Sequence, residues 1–124
     1  MAAEVEVKML NRGTLGAMTF EPALVQIQPG DSVHFIAADK GHDAQSIDGM
    51  IPAGAQPFKG TIGQDITVKF DVEGVYAYKC LPHFPMGMVG LVVVGKPTNL
   101  DAIKAAKVPP LAAKRLETLF ADIK

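Results

Sequence analysis

Val75-Tyr76-Ala77-Tyr78-Lys79-Cys80-Leu81-Pro82-His83-Phe84-Pro85-Met86-Gly87-Met88-Val89-Gly90-Leu91-Val92-Val93-Val94 reads as strand, loop, strand. Val75–Tyr78 is entered through the turn residues Glu73-Gly74, and Val89–Val94 is a continuous apolar run of the kind found in a central sandwich strand. Working outward, Val5–Met9, Leu24–Gln28, Ser32–Ile36 and Ile66–Phe70 alternate apolar with polar residues, the period of a strand with one buried face. Turn residues recur every ten positions or so, which favours a sandwich or barrel over alternating strands and helices. The segment from Gly41 to Gly63 is rich in Gly and Pro, and reads as a short strand near Gln45–Ile47 followed by a long ordered connection.

The texture changes after Gly95-Lys96-Pro97. Thr98 or Asn99 can cap a helix over Leu100–Lys107, which Val108-Pro109-Pro110 stops, and Leu116, Leu119, Phe120 and Ile123 form the apolar stripe of a second helix. Neither helix buries much alone, so both are expected to pack on the sandwich. The expected organisation of the 124 residues is one domain, with an all-β sandwich over 1–96 and a helical appendage over 97–124. Charge divides the same way: residues 1–96 carry seven basic and ten acidic groups, and residues 97–124 carry five and three.

Composition narrows the function classes. Hydrophobic residues make up 48% and charged residues 20%, ordinary for a soluble globular protein. A net charge of −1 excludes a strong overall pull toward nucleic acid or an anionic membrane surface. No apolar run approaches the ~20 residues of a membrane helix. Met1-Ala2-Ala3-Glu4 lacks the basic start and apolar stretch of a signal peptide, as an already processed secreted protein also would. The single cysteine, Cys80, excludes an internal disulfide.

The loop between the two strands offers a thiol at Cys80, an imidazole at His83 and thioethers at Met86 and Met88, and His42 stands upstream in Lys40-Gly41-His42-Asp43. Thiolate and thioether are soft donors suited to Cu(I), whereas imidazole serves both copper oxidation states. One thiolate and two imidazoles with a weak axial thioether form the copper electron-transfer arrangement. Zinc sites rarely use Met, haem attachment needs a second cysteine, and an iron–sulfur cluster needs more. Either Met86 or Met88 is within reach, whereas Met9, Met18 and Met50 read as packing residues and His34 as an ordinary strand residue. Pro82, Pro85 and Gly87 restrict the loop, and a stiff loop keeps reorganisation between oxidation states small. A nucleophilic Cys80–His83 pair would need an orienting group, which only Asp43 from the other segment could supply.

These residues, with Met9-Leu10-Asn11, Gly16-Ala17-Met18, Phe20-Glu21-Pro22-Ala23, Asp39-Lys40-Gly41-His42 and Gly49-Met50-Ile51-Pro52, resemble the pseudoazurins, small type 1 copper proteins of the cupredoxin family. The resemblance spans nearly the whole chain. It implies a Greek-key cupredoxin sandwich of roughly eight strands with two C-terminal α-helices. It also implies one copper ion held by His42, Cys80, His83 and Met88, in an electron carrier that is not an enzyme. Such a carrier is expected to act in the periplasm as a monomer, passing electrons to a nitrite reductase and meeting a c-type cytochrome. A copper carrier or buffer without an electron-transfer role is the alternative; it would favour flexible Met- or His-rich sites. The family's electron port implies an apolar patch of Ala17, Met18, Pro82, Pro85 and Met86 around His83. It also implies a docking ring of Arg12, Lys40, Lys59 and Lys79, and an exposed ligand His that can protonate in the reduced form, with Met18 packing on its ring. Two positions depart from the family. Asp43 stands where Asn usually ties the ligand segments together, and a carboxylate cannot donate a hydrogen bond as an amide does; a charged Asp43 is expected to favour Cu(II) and lower the reduction potential. Pro85 stands where Gly is usual.

Overall fold

The computed structural model describes residues 2–124. Eight strands run β1 (Glu4–Gly13), β2 (Gly16–Glu21), β3 (Leu24–Ile27), β4 (Ser32–Ile36), β5 (Gln45–Ser46), β6 (Ile66–Lys69), β7 (Gly74–Lys79) and β8 (Val89–Val94), followed by α1 (Leu100–Ala105) and α2 (Pro110–Ala121). One sheet has the order β2-β1-β4-β6 and the other β3-β8-β7-β5. The chain changes sheet at every connection from β2 to β7, giving the expected Greek-key sandwich. The pairs β1–β4 and β3–β8 are parallel, and the remaining ladders are antiparallel.

Strand alternation sets the core. Val7, Met9, Phe20, Val33 and Phe35 from the first sheet meet Val25, Ile27, Tyr76, Tyr78, Val92 and Val94 from the second. Tyr78 lies edge-on to Phe20 and Phe35, with ring centroids 4.7 and 4.9 Å away, the favoured aromatic geometry. Cys80 and Met88 belong to the same buried cluster, at the end of the sandwich where β7 leads into the loop.

The apolar run of β8 has a plain cause. Val92 and Val94 face the opposite sheet, whereas Val89, Leu91 and Val93 join Ile103, Ala112, Leu116 and Leu119 of the helices in a second core. Both faces of β8 are dry, so its pattern is continuous rather than alternating. The helices are thus a third layer on the sandwich, and none of the described helices is long and apolar enough to cross a membrane.

Three local expectations are corrected. Asn99 occupies the position before α1 without a side-chain cap bond; its amide instead brackets β7, accepting from Val75 N at 2.7 Å and donating to Val75 O at 3.0 Å. Helix α1 ends at Ala105, short of Lys107, because Ala106 is already extended. Pro110, read as part of a stop, opens α2, where its missing N–H costs nothing. The structure also adds β2, a strand that alternation does not reveal.

Candidate metal centre

His42 and Cys80 reach the same point from opposite segments because the β5–β7 ladder carries them there. Gln45 pairs with Lys79 and Ser46 with Tyr78, so this register places Ala44 opposite Cys80 and Asp43 opposite Leu81. Beyond Cys80 the chain folds into a 3₁₀ turn, Phe84–Met86. His83 N donates to Cys80 O at 3.2 Å, Met88 N to His83 O at 3.2 Å, and Cys80 N to Met88 O at 3.0 Å, which closes the loop. Gly87 ends the turn at φ 92°, and a Cβ there would press on the Leu111 carbonyl of α2, so only glycine fits. Pro85 sits in the first turn, where no backbone donor is missed.

Within this frame the Nδ1 atoms of His42 and His83 are 3.1 Å apart. Cys80 Sγ lies 3.7 Å from His42 Nδ1 and 3.4 Å from His83 Nδ1. Among the described residues these three form the one metal-capable group of His, Cys and carboxylate side chains, with ligand atoms within 4.8 Å of one another. His42 Nε2 donates to Asn11 Oδ1 at 2.7 Å. A carbonyl oxygen only accepts, so Nε2 holds the proton and Nδ1 presents a lone pair to the cleft. Burial, then the neighbouring His83, lower the His42 pKa and favour its neutral, ligating form. Burial raises the Cys80 thiol pKa, whereas N–H donation from the Asp43 backbone favours the thiolate. One soft sulfur and two imidazole nitrogens converging at this spacing fit a copper ion, and they fit the loss of the thiol proton to a metal.

The methionines separate by environment. Met88 is wholly buried beside Cys80 in the core cluster. Met86 is 46% exposed and lines a surface hollow with Leu15 and Leu111. Met9 and Met50 are buried packing residues as expected, and Met18 is half-buried against the core.

The residues expected around the port fall as follows. Pro82, Pro85 and Met86 are exposed on the loop, and Ala17 is exposed on β2 beside half-buried Met18. Met18 holds φ 52°, and Arg115 of α2 donates to its carbonyl oxygen at 2.6 Å and to that of Ala17 at 3.1 Å. Arg12, Lys40 and Lys59 are exposed, and Lys79 Nζ lies 4.8 Å from the centre of the Phe84 ring. Lys59 bridges Gln45, whose other neighbour is Lys79, so these two lysines flank one short strand. The exposed large apolar residues gather at this end of the molecule. Leu81 follows Cys80, Leu15 and Leu111 share a hollow with Met86, and Ile62 precedes Gly63, whose N–H donates to His42 O at 2.9 Å.

Asp43 does not orient an imidazole. Its carboxylate is 2% exposed and accepts from Leu81 N at 2.7 Å and Gln45 Nε2 at 2.8 Å. No nucleophilic triad forms among the described residues, and the carboxylate of Asp43 ties the two ligand segments together as an acceptor. His34 is less plain than a simple strand residue, since its Nε2 lies 2.9 Å from Asp65 Oδ2. Sequence reading missed Asn11, Gln45 and Arg115 as supporting residues; Asn11 stood in a quoted motif with no role attached.

Residues 7–95 match the family model of copper binding proteins of the plastocyanin/azurin family. A pseudoazurin of Methylorubrum extorquens is 56% identical over 98% of this chain and 83% of its own length. A pseudoazurin of Paracoccus pantotrophus is 47% identical over 98% of this chain and 85% of its own length. The crystal structure of pseudoazurin from Methylobacterium extorquens AM1 superposes with a TM-score of 0.94 at 55% identity, covering 98% of this chain and 99% of that one.

Proposed function

Because this chain belongs to the copper-binding plastocyanin/azurin family and, within it, to the pseudoazurins, we propose that it carries single electrons through one copper held by His42, Cys80, His83 and Met88. The observation that carries the reading is the convergence of two imidazole Nδ1 atoms on the Cys80 sulfur at 3.4 and 3.7 Å, with the buried Met88 beside it. Copper bound there supplies a Cu(I)/Cu(II) couple. The chain's own part is to fix the donors. Asn11 holds the His42 tautomer, the Cys80–Met88 backbone bond closes the ligand loop, and Pro82 and Pro85 stiffen it. A frame this tied changes little between oxidation states, which suits a carrier better than a buffer that must release its ion.

His42 is fully buried and His83 only half-buried, so the electron leaves through His83. Ala17, Met18, Pro82, Pro85 and Met86 form an apolar contact around it, and Arg12, Lys40, Lys59 and Lys79 steer an acidic partner. The partners proposed are a nitrite reductase as acceptor and a c-type cytochrome as donor, met transiently in the periplasm by a monomer that performs no catalysis of its own. Adding Cu(II) to metal-free protein tests the reading. An intense visible thiolate-to-copper band at one equivalent, followed by reversible one-electron cycling without metal loss, is expected. A colourless adduct, or copper lost on reduction, would overturn it.

A further inference from the structure

Asp43 and Gln45 are both buried, at 2% and 9% exposure, and they face one another. The ladder between β5 and β7 ends at the pair Gln45–Lys79. One alternation further on, the side chain of Asp43 replaces the missing backbone rung, its Oδ1 accepting from Leu81 N at 2.7 Å. Cys80 is therefore gripped on both sides, by a backbone pair before it and a carboxylate rung after it. The other oxygen, Oδ2, takes the Gln45 amide at 2.8 Å. Each carboxylate oxygen meets an N–H donor. The amide that fixes this carboxylate comes from the residue whose backbone forms the preceding rung, so Gln45 serves the ladder twice.

We infer that Gln45 is a positioning residue for the metal centre, clamping the Asp43 carboxylate at the Leu81 amide, one residue beyond Cys80, so that its Oδ1 closes the last rung over the ligand loop. The inference rests on the copper reading proposed above and adds to it a residue that acts through another. A carboxylate held at the Leu81 amide, next in the chain to Cys80, disfavours further negative charge on the centre, so it holds the reduction potential down. Loosening the clamp frees the Leu81 N–H and weakens that hold. Moving the charge from residue 43 to residue 45 keeps a carboxylate–amide bond but carries the charge away from the Leu81 amide and the ligand loop.

The test compares wild type with Gln45→Met, Asp43→Asn and the exchange Asp43→Asn/Gln45→Glu. Two readouts are used: the midpoint potential of the copper-loaded protein, and hydrogen exchange at the Leu81 amide of the metal-free protein. Gln45→Met, close in volume and unable to donate, is expected to speed Leu81 exchange and raise the potential. Asp43→Asn should raise the potential while keeping Leu81 protected, since the amide oxygen still accepts. The exchanged pair should keep Leu81 protected, with a potential between those of Asp43→Asn and wild type. Wild-type potential and wild-type Leu81 protection in Gln45→Met would overturn the inference, as would an exchanged pair no different from Asp43→Asn. A chain that binds no copper would instead defeat the electron-carrier reading, while Leu81 exchange in metal-free protein would still report on the clamp.

Discussion

Asn11 gives the sharpest test of how the metal centre is held. Its side-chain oxygen accepts the Nε2 proton of His42 at 2.7 Å, and the His42 ring is fully buried. Binding an ion at Nδ1 obliges the ring to keep its proton on Nε2. Without the ion, the proton can instead sit on Nδ1 and face His83 Nδ1, 3.1 Å away. Loss of the Asn11 acceptor therefore falls mainly on the loaded state. A buried N–H left without a partner costs about 1–3 kcal/mol, which converts to roughly a 5- to 150-fold loss of affinity and agrees with the ~10–100-fold typical of residues that orient metal-binding histidines. Asn11 itself is exposed, so the replacement matters. Asn11→Ala opens a path for water to take the oxygen's place, and its effect should be smaller, at most the roughly 30-fold that corresponds to the ~2 kcal/mol upper bound for holding one water. Asn11→Leu fills the space and excludes water, so it should show the full penalty. The backbone of residue 11 stays anchored in both, because its N–H donates to Asp39 Oδ2 at 2.7 Å. Cu(I) affinity measured by competition with a chromophoric chelator decides the matter. A folded Asn11→Leu protein with wild-type affinity, or an Asn11→Ala protein as weak as Asn11→Leu, would refute the reasoning.

Three further outcomes are expected. Tyr78 Oη is buried without a hydrogen-bond partner among the described residues, and burial pushes its ionisation far above the usual phenol range; Tyr78→Phe should therefore stabilise the fold by about 1 kcal/mol, raising Tm by about 4 °C, and a lower Tm in calorimetry would contradict this. The carboxyl of Asp31 is held below its usual range by the Ala3 and then the Gln28 backbone N–H, and that of Asp65 by the Ala37 N–H and then His34. Lowered carboxylate pKa values add stability above the ordinary value of about 4, and that stability is lost as pH falls through the folded values. Thermal unfolding from pH 7 down to pH 2 should thus show a flat region and then an acid decline, and the decline should be shallower in Asp31→Asn and Asp65→Asn; unchanged acid sensitivity in both would count against the assignment. Electron transfer to an acidic redox partner should slow as salt rises past 0.1 M, where screening acts over ~10 Å, and Lys59→Gln/Lys79→Gln should flatten that dependence; a salt-independent wild-type rate would remove the docking role of these lysines.

Much of the fold was legible because the sandwich obeys parity. Alternation in residues 5–9, 32–36 and 66–70 placed three strands of one sheet, and the unbroken apolar run of β8 signalled a strand with two dry faces. Strand β2 stayed hidden for a physical reason. Met18 turns to φ 52° within it and lends its carbonyl to Arg115, so Gly16–Glu21 does not keep the period of a regular strand. Cys80 and His83 were legible because soft donors crowded into a short loop are chemically unusual, whereas spacing left Met86 and Met88 equally open and the choice of Met88 came from the family resemblance. Their supports were not, because each acts across the fold through an ordinary polar side chain. Asn11 reaches His42 over 31 positions and Arg115 reaches Met18 over 97, and nothing local marks either residue. Asn99 misled for the converse reason, since a good capping residue was more useful bracketing β7.

The two imidazoles differ in how they are built in, and that difference assigns them different work. His42 is closed off on every side that can be named. Asn11 takes its outer nitrogen, Gly63 donates to its carbonyl, and its ring has no exposed surface. His83 rests on a turn that carries Pro82 and Pro85, stays half-buried, and opens toward the end of the molecule where Leu15, Ile62, Leu81, Met86 and Leu111 stand exposed. Large exposed apolar side chains gathered at one end of a monomer mark a contact surface. Here they share the end of the molecule that carries His83, the one ring of the centre that is not fully buried. A partner that covers this end would therefore approach the ring across an apolar surface. His42 is fixed by burial and its hydrogen bonds, and His83 is the imidazole left within reach of solvent.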